Sequence, residues 1–174
     1  MGRVYLLLSC LCIVVMMTVA FHSSAFAQNS KKYESRTLAQ IVSLNKTSAD
    51  QVLSNAKPEE LRDFIGLDPM FSKVRVQFES GPRQISDSHK QMIEWWVKLQ
   101  RVDKKVLQQY EKEFLFTENG IEYWIPVQTQ FVDEMSAKFK QGDPITLLVL
   151  YVGARKEKNE TTYNSLFLST GFGS

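Results

Sequence analysis

Alternating apolar and polar positions between Phe71 and Glu79 predict the first strand of the fold. The apolar side chains point to one side of this segment and the polar ones to the other: Val74, Val76 and Phe78 against Lys73, Arg75, Gln77 and Glu79. A period of two residues is typical of a strand with one buried face. We expect Ser80-Gly81-Pro82 to end this strand.

A second clear pattern surrounds Asn119-Gly120, which lies between two apolar runs. Both residues tolerate the positive φ angles of a type I′ turn, so the dipeptide predicts a β-hairpin with a two-residue loop. The turn pairs Glu118 with Ile121 and thereby fixes the register of both strands. The remaining predicted pairs are Phe116 with Tyr123, Phe114 with Ile125, and Leu115 with Trp124 on the opposite face.

Helical spacing of apolar residues predicts helices before and after this hairpin. Before it, Ser86 or Asp87 can cap a helix that runs to about Gln100, and a second helical piece covers Asp103–Tyr110. After it, apolar residues recur at helical spacing over Phe131–Phe139. The hairpin is therefore expected to lie between two helical regions.

The first of these helices has an unusually wide apolar face. Between Met92 and Leu99 only Glu94 and Lys98 are polar, which implies burial on more than one side. We expect this helix to pack over Leu115 and Trp124 of the hairpin.

The last third of the chain predicts a second pair of strands. Ile145–Gly153 is apolar on both faces, which is typical of a central strand that is covered on both sides. A charged loop, Arg155–Glu160, separates it from a last strand at Thr162–Ser169. We expect residues 171–174 to form a tail.

The segment before the first strand carries helical signals. We expect an ordered piece at Leu38–Leu44 and a helical turn capped by Thr47 or Ser48. A short helix is predicted to start at Pro58 and to stop at Gly66, because proline suits the first helical position and glycine the residue after the last.

The order of these elements predicts an α+β fold. We expect a small five-stranded antiparallel sheet or an OB-like barrel, with a helical insertion after the first strand and a helix between two hairpins. An OB barrel has three strands, a helix and two strands, so the chain resembles it only if Gln84–Tyr110 is an insertion. A curved α+β roll fits the same order. The predicted domains are a signal peptide at 1–27, an N-terminal helical segment at 28–70, and the OB-like domain at 71–174.

The first 27 residues have the composition of a secretory signal peptide. Arg3 is the only charge before a long apolar run, Val4–Ala20, and Ala25-Phe26-Ala27 is a small-x-small cleavage site. We expect cleavage after Ala27 and export to the periplasm or exterior of a bacterium. The alternative is an uncleaved membrane anchor, for which the apolar run is at the short end of the spanning range.

Cleavage changes what the composition implies. Both cysteines, Cys10 and Cys12, leave with the signal, so we expect no disulfide and no thiol nucleophile in the mature protein. Removing Arg3 from the 21 basic residues leaves 20 against 19 acidic ones. This balance gives no electrostatic case for binding nucleic acid or an anionic membrane surface.

Residues that carry chemistry are few. His89 is the one histidine that remains after cleavage, and we interpret it as an exposed residue at a helix start because no nucleophile lies nearby. One histidine without cysteine does not fit the usual zinc sites, so no metal or cofactor is expected. Glu113 and Glu122 lie on the Trp124 side of the hairpin and can serve a carboxylate-dependent hydrolase of glycans.

The candidate residues for binding a ligand or partner are Trp124, Trp95, Glu122, Arg75 and Arg83. An uncovered Trp124 would join Trp95 in an exposed apolar patch, and such patches mark interaction sites. We therefore expect an exported, non-enzymatic domain that binds an envelope protein or a small ligand. The alternatives are an OB-type binder of glycans or polyanions, and the carboxylate-dependent envelope hydrolase.

Overall fold

The computed structural model describes residues 33–55, 64–156 and 163–173. The predicted signal peptide, both cysteines and the expected helix start at Pro58 lie outside these ranges, so no disulfide occurs within them. Its helices and strands are β1 Glu34–Ser35, α1 Leu38–Asn55, β2 Phe64–Gln84, α2 Asp87–Gln100, β3 Lys112–Glu118, β4 Ile121–Val127, α3 Val132–Lys138, β5 Pro144–Lys156 and β6 Tyr163–Gly173. Two 3₁₀ helices, Lys104–Gln109 and Thr129–Phe131, precede β3 and α3.

Strands β2 to β6 close into a five-stranded barrel. Hydrogen-bonded neighbours follow the order β2-β3-β4-β6-β5, and pairing of β5 with β2 completes the ring. All neighbours are antiparallel except β4 and β6, which run parallel, so the sheet is mixed. Three strands, a helix and two strands make this α+β fold OB-like, with α2 as the insertion after the first barrel strand. The predicted fold class is confirmed.

The hairpin of β3 and β4 is confirmed in every predicted pair. Glu118 pairs with Ile121 and Leu115 with Trp124, as the two-residue loop requires. Asn119 has φ of 53° and Gly120 has φ of 80°, the positive values of a type I′ turn.

Strand β5 is central, as its two apolar faces predict, because it pairs with β2 on one edge and β6 on the other. Its inward residues join the barrel core with side chains from β2 and β3, from α1 and from α3; this core includes Ile145, Leu147, Val149, Tyr151, Val74, Phe114, Ile41 and Met135. Its outward residues Leu150 and Val152 lie in a second cluster beneath α2. A helix therefore covers the outer face.

The position of α2 corrects one prediction. The helix begins where expected, with Ser86 as its N-cap, but its buried residues pack on β5 and β6. They do not cover Leu115 and Trp124. Its apolar face, which includes Met92 and Trp96, packs against outward apolar residues of β5 and β6 such as Leu150 and Leu166.

Strand β2 is longer at its end than predicted. Ser80-Gly81-Pro82 does not terminate it, because register shifts on both sides of Ser80 absorb the irregularity and pairing resumes with Arg83 opposite Glu113. A Cβ on Gly81 would lie 2.3 Å from Cδ1 of Phe114, so glycine lets the strand pass close over this ring. The extension carries Arg83 into the sheet.

The N-terminal segment also differs from its prediction. Helix α1 is continuous, so Thr47 and Ser48 lie inside it and do not cap a separate turn. Its cap is Thr37, whose hydroxyl accepts from the amide of Gln40 at 3.0 Å while the Gln40 side chain accepts from the amide of Thr37 at 2.9 Å.

Strand pairing overrides the predicted helix end at Gly66. Residues 64–66 begin β2 and pair with Arg155, Ala154 and Gly153 of β5. The same strand runs through the predicted domain boundary between residues 70 and 71. The residues of the expected helix that precede Phe64 lie outside the described ranges.

The predicted tail is ordered over residues 171–173. Strand β6 continues to Gly173, and Phe172 pairs with Leu147 in the β5 ladder. Phe172 also packs against the rings of Phe131 and Phe139. These contacts come from residues far away in the sequence, so the local pattern did not predict them. Within the described ranges, no helix has the length and apolar character needed to span a membrane.

Candidate ligand-binding cleft

A cleft of about 690 Å³ lies where the barrel strands β4 and β6 diverge. The two strands are in register at Val127 and Ser169, whereas the cleft is lined by residues nearer their starts, including Trp124 and Phe167. Helix α1 contributes a third side through residues such as Lys46, and the segment that links β2 to α2 contributes a fourth. With Arg83 at the end of β2 and His89 at the start of α2, the cleft combines side chains from α1, β2, α2, β4 and β6 of one compact unit, Glu34–Ser174.

An ion network of Arg83, Glu113 and His89 is built into this region. Arg83 and Glu113 face each other on β2 and β3, and Nε and Nη2 of Arg83 lie 2.7 Å and 2.6 Å from Oε1 of Glu113. Nδ1 of His89 lies 2.6 Å from Oε2 of the same carboxylate. His89 is held there because Ser86 caps α2 and accepts a hydrogen bond from the His89 amide. One carboxylate thus orients both the Arg83 and the His89 side chains.

The carboxylate of Glu113 is fully buried, whereas the Arg83 and His89 side chains are 47% and 16% exposed. Burial raises the pKa of Glu113, but hydrogen bonds and charges from His89 and Arg83 outweigh it and hold the pKa below its ordinary value. Glu113 is therefore ionised at neutral pH. This suits a fixed anion and not a general acid, which needs a raised pKa.

The Arg83 guanidinium also covers Trp124. Its central carbon lies 3.3 Å from the centroid of the indole ring, which is a close cation–π stack. Arg83 thus takes the place over Trp124 that we expected α2 to occupy. Trp124 remains half-buried and lines the cleft.

Three of the predicted binding residues converge on the cleft: Trp124, Glu122 and Arg83 all line it. Trp95 lies elsewhere, on α2, where it is 37% exposed and the Lys98 ammonium lies 5.6 Å from its ring centroid. Trp95 therefore does not line the cleft together with Trp124.

Arg75, the remaining predicted binding residue, lies on the exposed face of β2. It lines a separate groove of about 470 Å³ together with Arg36 and Lys73. Arg36 is already engaged there, with an ion pair to Glu34 and a hydrogen bond to the Ser72 hydroxyl.

His89 lies at the helix start as predicted, but the expectation that its side chain is exposed is wrong, because the side chain is 16% exposed and contacts Glu113. The sequence signals for its pairing were Glu113, which directly precedes the apolar run Phe114-Leu115-Phe116, and the lone Arg83 after Gly81-Pro82. Neither signal is decisive, because Arg83 reaches Glu113 only if β2 continues through the irregularity at Ser80.

Glu118, another acid of the hairpin, serves the fold. Its two carboxylate oxygens accept from the amides of Leu38 and Ala39 at 2.9 Å and 3.1 Å. A carboxylate at this position accepts from two of the amides that have no partner within the helix, and its negative charge interacts favourably with the dipole of α1. Glu118 thereby fixes the helix that forms one side of the cleft.

The donor set of the cleft does not form a metal site. No group of three or more His, Cys, Asp or Glu side chains within the described ranges is arranged to hold an ion. Comparison with protein-family models and with curated protein sequences finds no match to the chain.

Proposed function

We propose that the protein is an exported binding domain that takes a small polar ligand into the cleft between α1, β4 and β6. The observation that carries this proposal is the fully buried carboxylate of Glu113, which holds Arg83 and His89 at the side of the cleft. The proposal makes these two side chains, together with Trp124, the main binding groups.

Energetics favour a functional role for this network. Desolvation of a buried ion pair offsets most of its Coulombic attraction, so apolar residues of similar volume would stabilise the fold as well or better. Ionisable groups with shifted pKa values, such as Glu113, are enriched at functional sites. Binding clefts combine an apolar lining with a few oriented polar groups. In this cleft Phe167 and Trp124 are the apolar part, and Arg83 and His89 are the polar groups.

The place of the cleft in the fold is a second argument. OB barrels bind ligands on one sheet face and with the loops that follow their first and fourth strands. Arg83 and His89 lie at the end of the first barrel strand and in the insertion after it. Ser165, near the start of the last strand, lines the same cleft. The likeness of fold therefore makes this the expected ligand position.

Export is part of the proposal and rests on residues 1–27. The charged start, apolar run and Ala25-Phe26-Ala27 site together indicate a cleaved signal. Intact-mass measurement of protein from the exported fraction tests it. A mass that starts at Gln28 supports export with cleavage, whereas the full-length mass in the membrane fraction supports an anchor and contradicts it.

The binding proposal is tested by tryptophan fluorescence of the full chain during titration with neutral oligosaccharides, sugar phosphates and uronic acids. A ligand in the cleft changes the emission of Trp124, so the change disappears in Trp124→Phe. The matched control is Trp95→Phe, which removes an indole outside the cleft and retains the change.

Two outcomes contradict the proposal. Loss of the fluorescence change in Trp95→Phe with retention in Trp124→Phe would locate binding elsewhere on the surface. Failure of the whole panel, together with a protein cross-linked in cells at near-stoichiometric yield through Trp124, would replace the small ligand with an envelope protein.

A further inference from the structure

We propose that the cleft binds a short peptide segment in extended conformation, which pairs as an added strand with the open edge of β4. This inference rests on the proposed binding function and names its ligand class. The main chain of the peptide supplies the polar groups that β4 recognises, and its side chains supply the selectivity.

The first step is that β4 has one paired edge and one open edge. Along the first edge, every residue of β4 from Ile121 to Val127 pairs with a residue of β3. Along the second, the described part of the chain offers a single paired position, Val127 with Ser169 of β6. Over residues 121–126, β4 therefore has no described partner strand on the side where it diverges from β6 and borders the cleft.

The second step is the direction of the main-chain groups along β4. The two-residue loop makes Glu118 and Ile121 a hydrogen-bonded pair. In an antiparallel ladder such pairs alternate with pairs that exchange no hydrogen bond. Glu122 and Trp124 belong to the second kind, because each lies an odd number of residues after Ile121. Their N–H and C=O groups therefore point away from β3 and toward the open edge.

Two observations at the end of β4 agree with this direction. Gln128, an even number of residues after Glu122 and Trp124, donates its N–H to the Ser169 carbonyl of β6 at 3.2 Å. Pro126 has the same direction and lacks an N–H, which a strand tolerates where the ladder does not need that group. Glu122 and Trp124 thus each present a donor and an acceptor to a strand that the described chain does not supply.

The third step is the ligand that such an edge recognises. Main-chain groups of alternate residues recur every ~7 Å along a strand, which matches the repeat of another extended chain. Unpaired edges accordingly bind extended peptides, whose main chain satisfies the edge while alternate side chains enter pockets on its two faces. The cleft beside this edge has a volume of about 690 Å³, within the usual size of a ligand site.

The two faces of β4 differ in the surface that they offer to peptide side chains. On the inner face lies Tyr123, whose ring contacts that of Phe167 with 6.2 Å between the centroids. On the outer face lies Trp124, with the Arg83 guanidinium stacked on it. All four side chains, with Glu122 on the outer face, line the cleft. We therefore expect the peptide to alternate apolar residues, on the inner face, with polar ones on the outer face.

The experiment offers the full chain a set of capped pentapeptides that alternate Thr with Val, Ile, Phe or Tyr, and it records amide hydrogen exchange by NMR. At a peptide concentration of about ten times Kd, exchange of the Glu122 and Trp124 amides is expected to slow about tenfold. The amide of Tyr123, which already donates within the β3 ladder, is the internal control. Failure of every peptide to protect Glu122 and Trp124 overturns the inference.

A pair of variants separates the main chain from the side chain at the open edge. Glu122→Pro and Glu122→Ala both lack the carboxylate, but only alanine keeps the N–H. Loss of that hydrogen bond predicts about tenfold weaker peptide binding by Glu122→Pro than by Glu122→Ala. Equal affinities of the two folded variants contradict an added strand.

A second test does not depend on the folding of Glu122→Pro. The same peptides with N-methyl groups on their three central residues keep every side chain but lack the amide hydrogens that an added strand uses. They are expected not to bind. Binding as tight as that of the parent peptides is incompatible with strand pairing.

The sugars that test the binding function distinguish its failure from that of this inference. If a sugar changes Trp124 fluorescence and no peptide protects the edge, the peptide assignment is wrong and the binding function stands. Protection of Glu122 and Trp124 by a peptide supports both. If neither the peptides nor the sugars, sugar phosphates and uronic acids change Trp124 fluorescence, both fail.

Discussion

Replacing Glu113 with glutamine tests whether the buried network is as coupled as its distances indicate. Glutamine keeps the shape of the side chain, but it removes the negative charge between Arg83 and His89 and turns one acceptor oxygen into a donor group facing Nδ1. Removing one partner of a buried ion pair costs about 3–5 kcal/mol. Because Arg83 is 47% exposed and can regain water, we expect a loss of about 2–3 kcal/mol in the free energy of unfolding.

The pH dependence gives the prediction its sharpest form. The pKa of Glu113 in the folded protein lies below its ordinary value of 4.5, because the contacts with His89 and Arg83 outweigh the effect of burial. A carboxylate with a lowered folded pKa stabilises the protein above its unfolded pKa, and this contribution is lost as pH falls through the folded value. The difference between wild type and Glu113→Gln is therefore full at about pH 7 and narrows below about pH 4.

The assay is urea unfolding followed by tryptophan fluorescence at neutral and acidic pH. Glu111→Gln is the control, since this exposed carboxylate lies two residues earlier in the chain and its loss should change stability by less than about 0.5 kcal/mol. Equal stability of Glu113→Gln and wild type at neutral pH would refute the coupling. So would a difference that stays constant into the acidic range.

Three further substitutions test the fold, each read by thermal unfolding. Gly120→Val places a β-branched residue at φ of 80° with no neighbour within 4 Å, so backbone strain alone should cost about 1–2 kcal/mol; an unchanged melting temperature would contradict the turn. Glu118→Gln removes the charge at the start of α1 and should cost about 1 kcal/mol, whereas no loss would mean that the contact is incidental. Gly81→Ala forces its Cβ against Phe114 and should cost about 1–3 kcal/mol, which Phe114→Leu in the same chain should partly restore; failure of that rescue would contradict the close approach.

The parts of the fold that sequence reasoning predicted are those encoded by neighbouring residues. Asn119-Gly120 determines a turn, and the turn determines the register of both strands without reference to the rest of the chain. The two apolar faces of Ile145–Gly153 likewise require cover on both sides, which fixes a central position.

The parts that were wrong depend on distant partners. Phe64 and Ile65 have a helical context in the sequence, yet β5 offers them a strand edge and hydrogen bonds over the whole ladder. Residues 171–173 look like a glycine-rich tail, but they pair with the edge of β5 at Thr146–Leu148. In both cases the free energy gained by pairing with a strand edge exceeds the small intrinsic conformational preference of a few residues.

The candidate cleft could be predicted only in pieces for the same reason. Trp124 and Glu122 are neighbours on one strand, whereas Arg83 reaches them only because β2 continues beyond Gly81. The geometry also changes the role of Glu113, which the sequence suggested as a catalytic carboxylate. Glu113 is held as an anion by its contacts with Arg83 and His89, so its effect on the cleft acts through these two side chains, both of which line it.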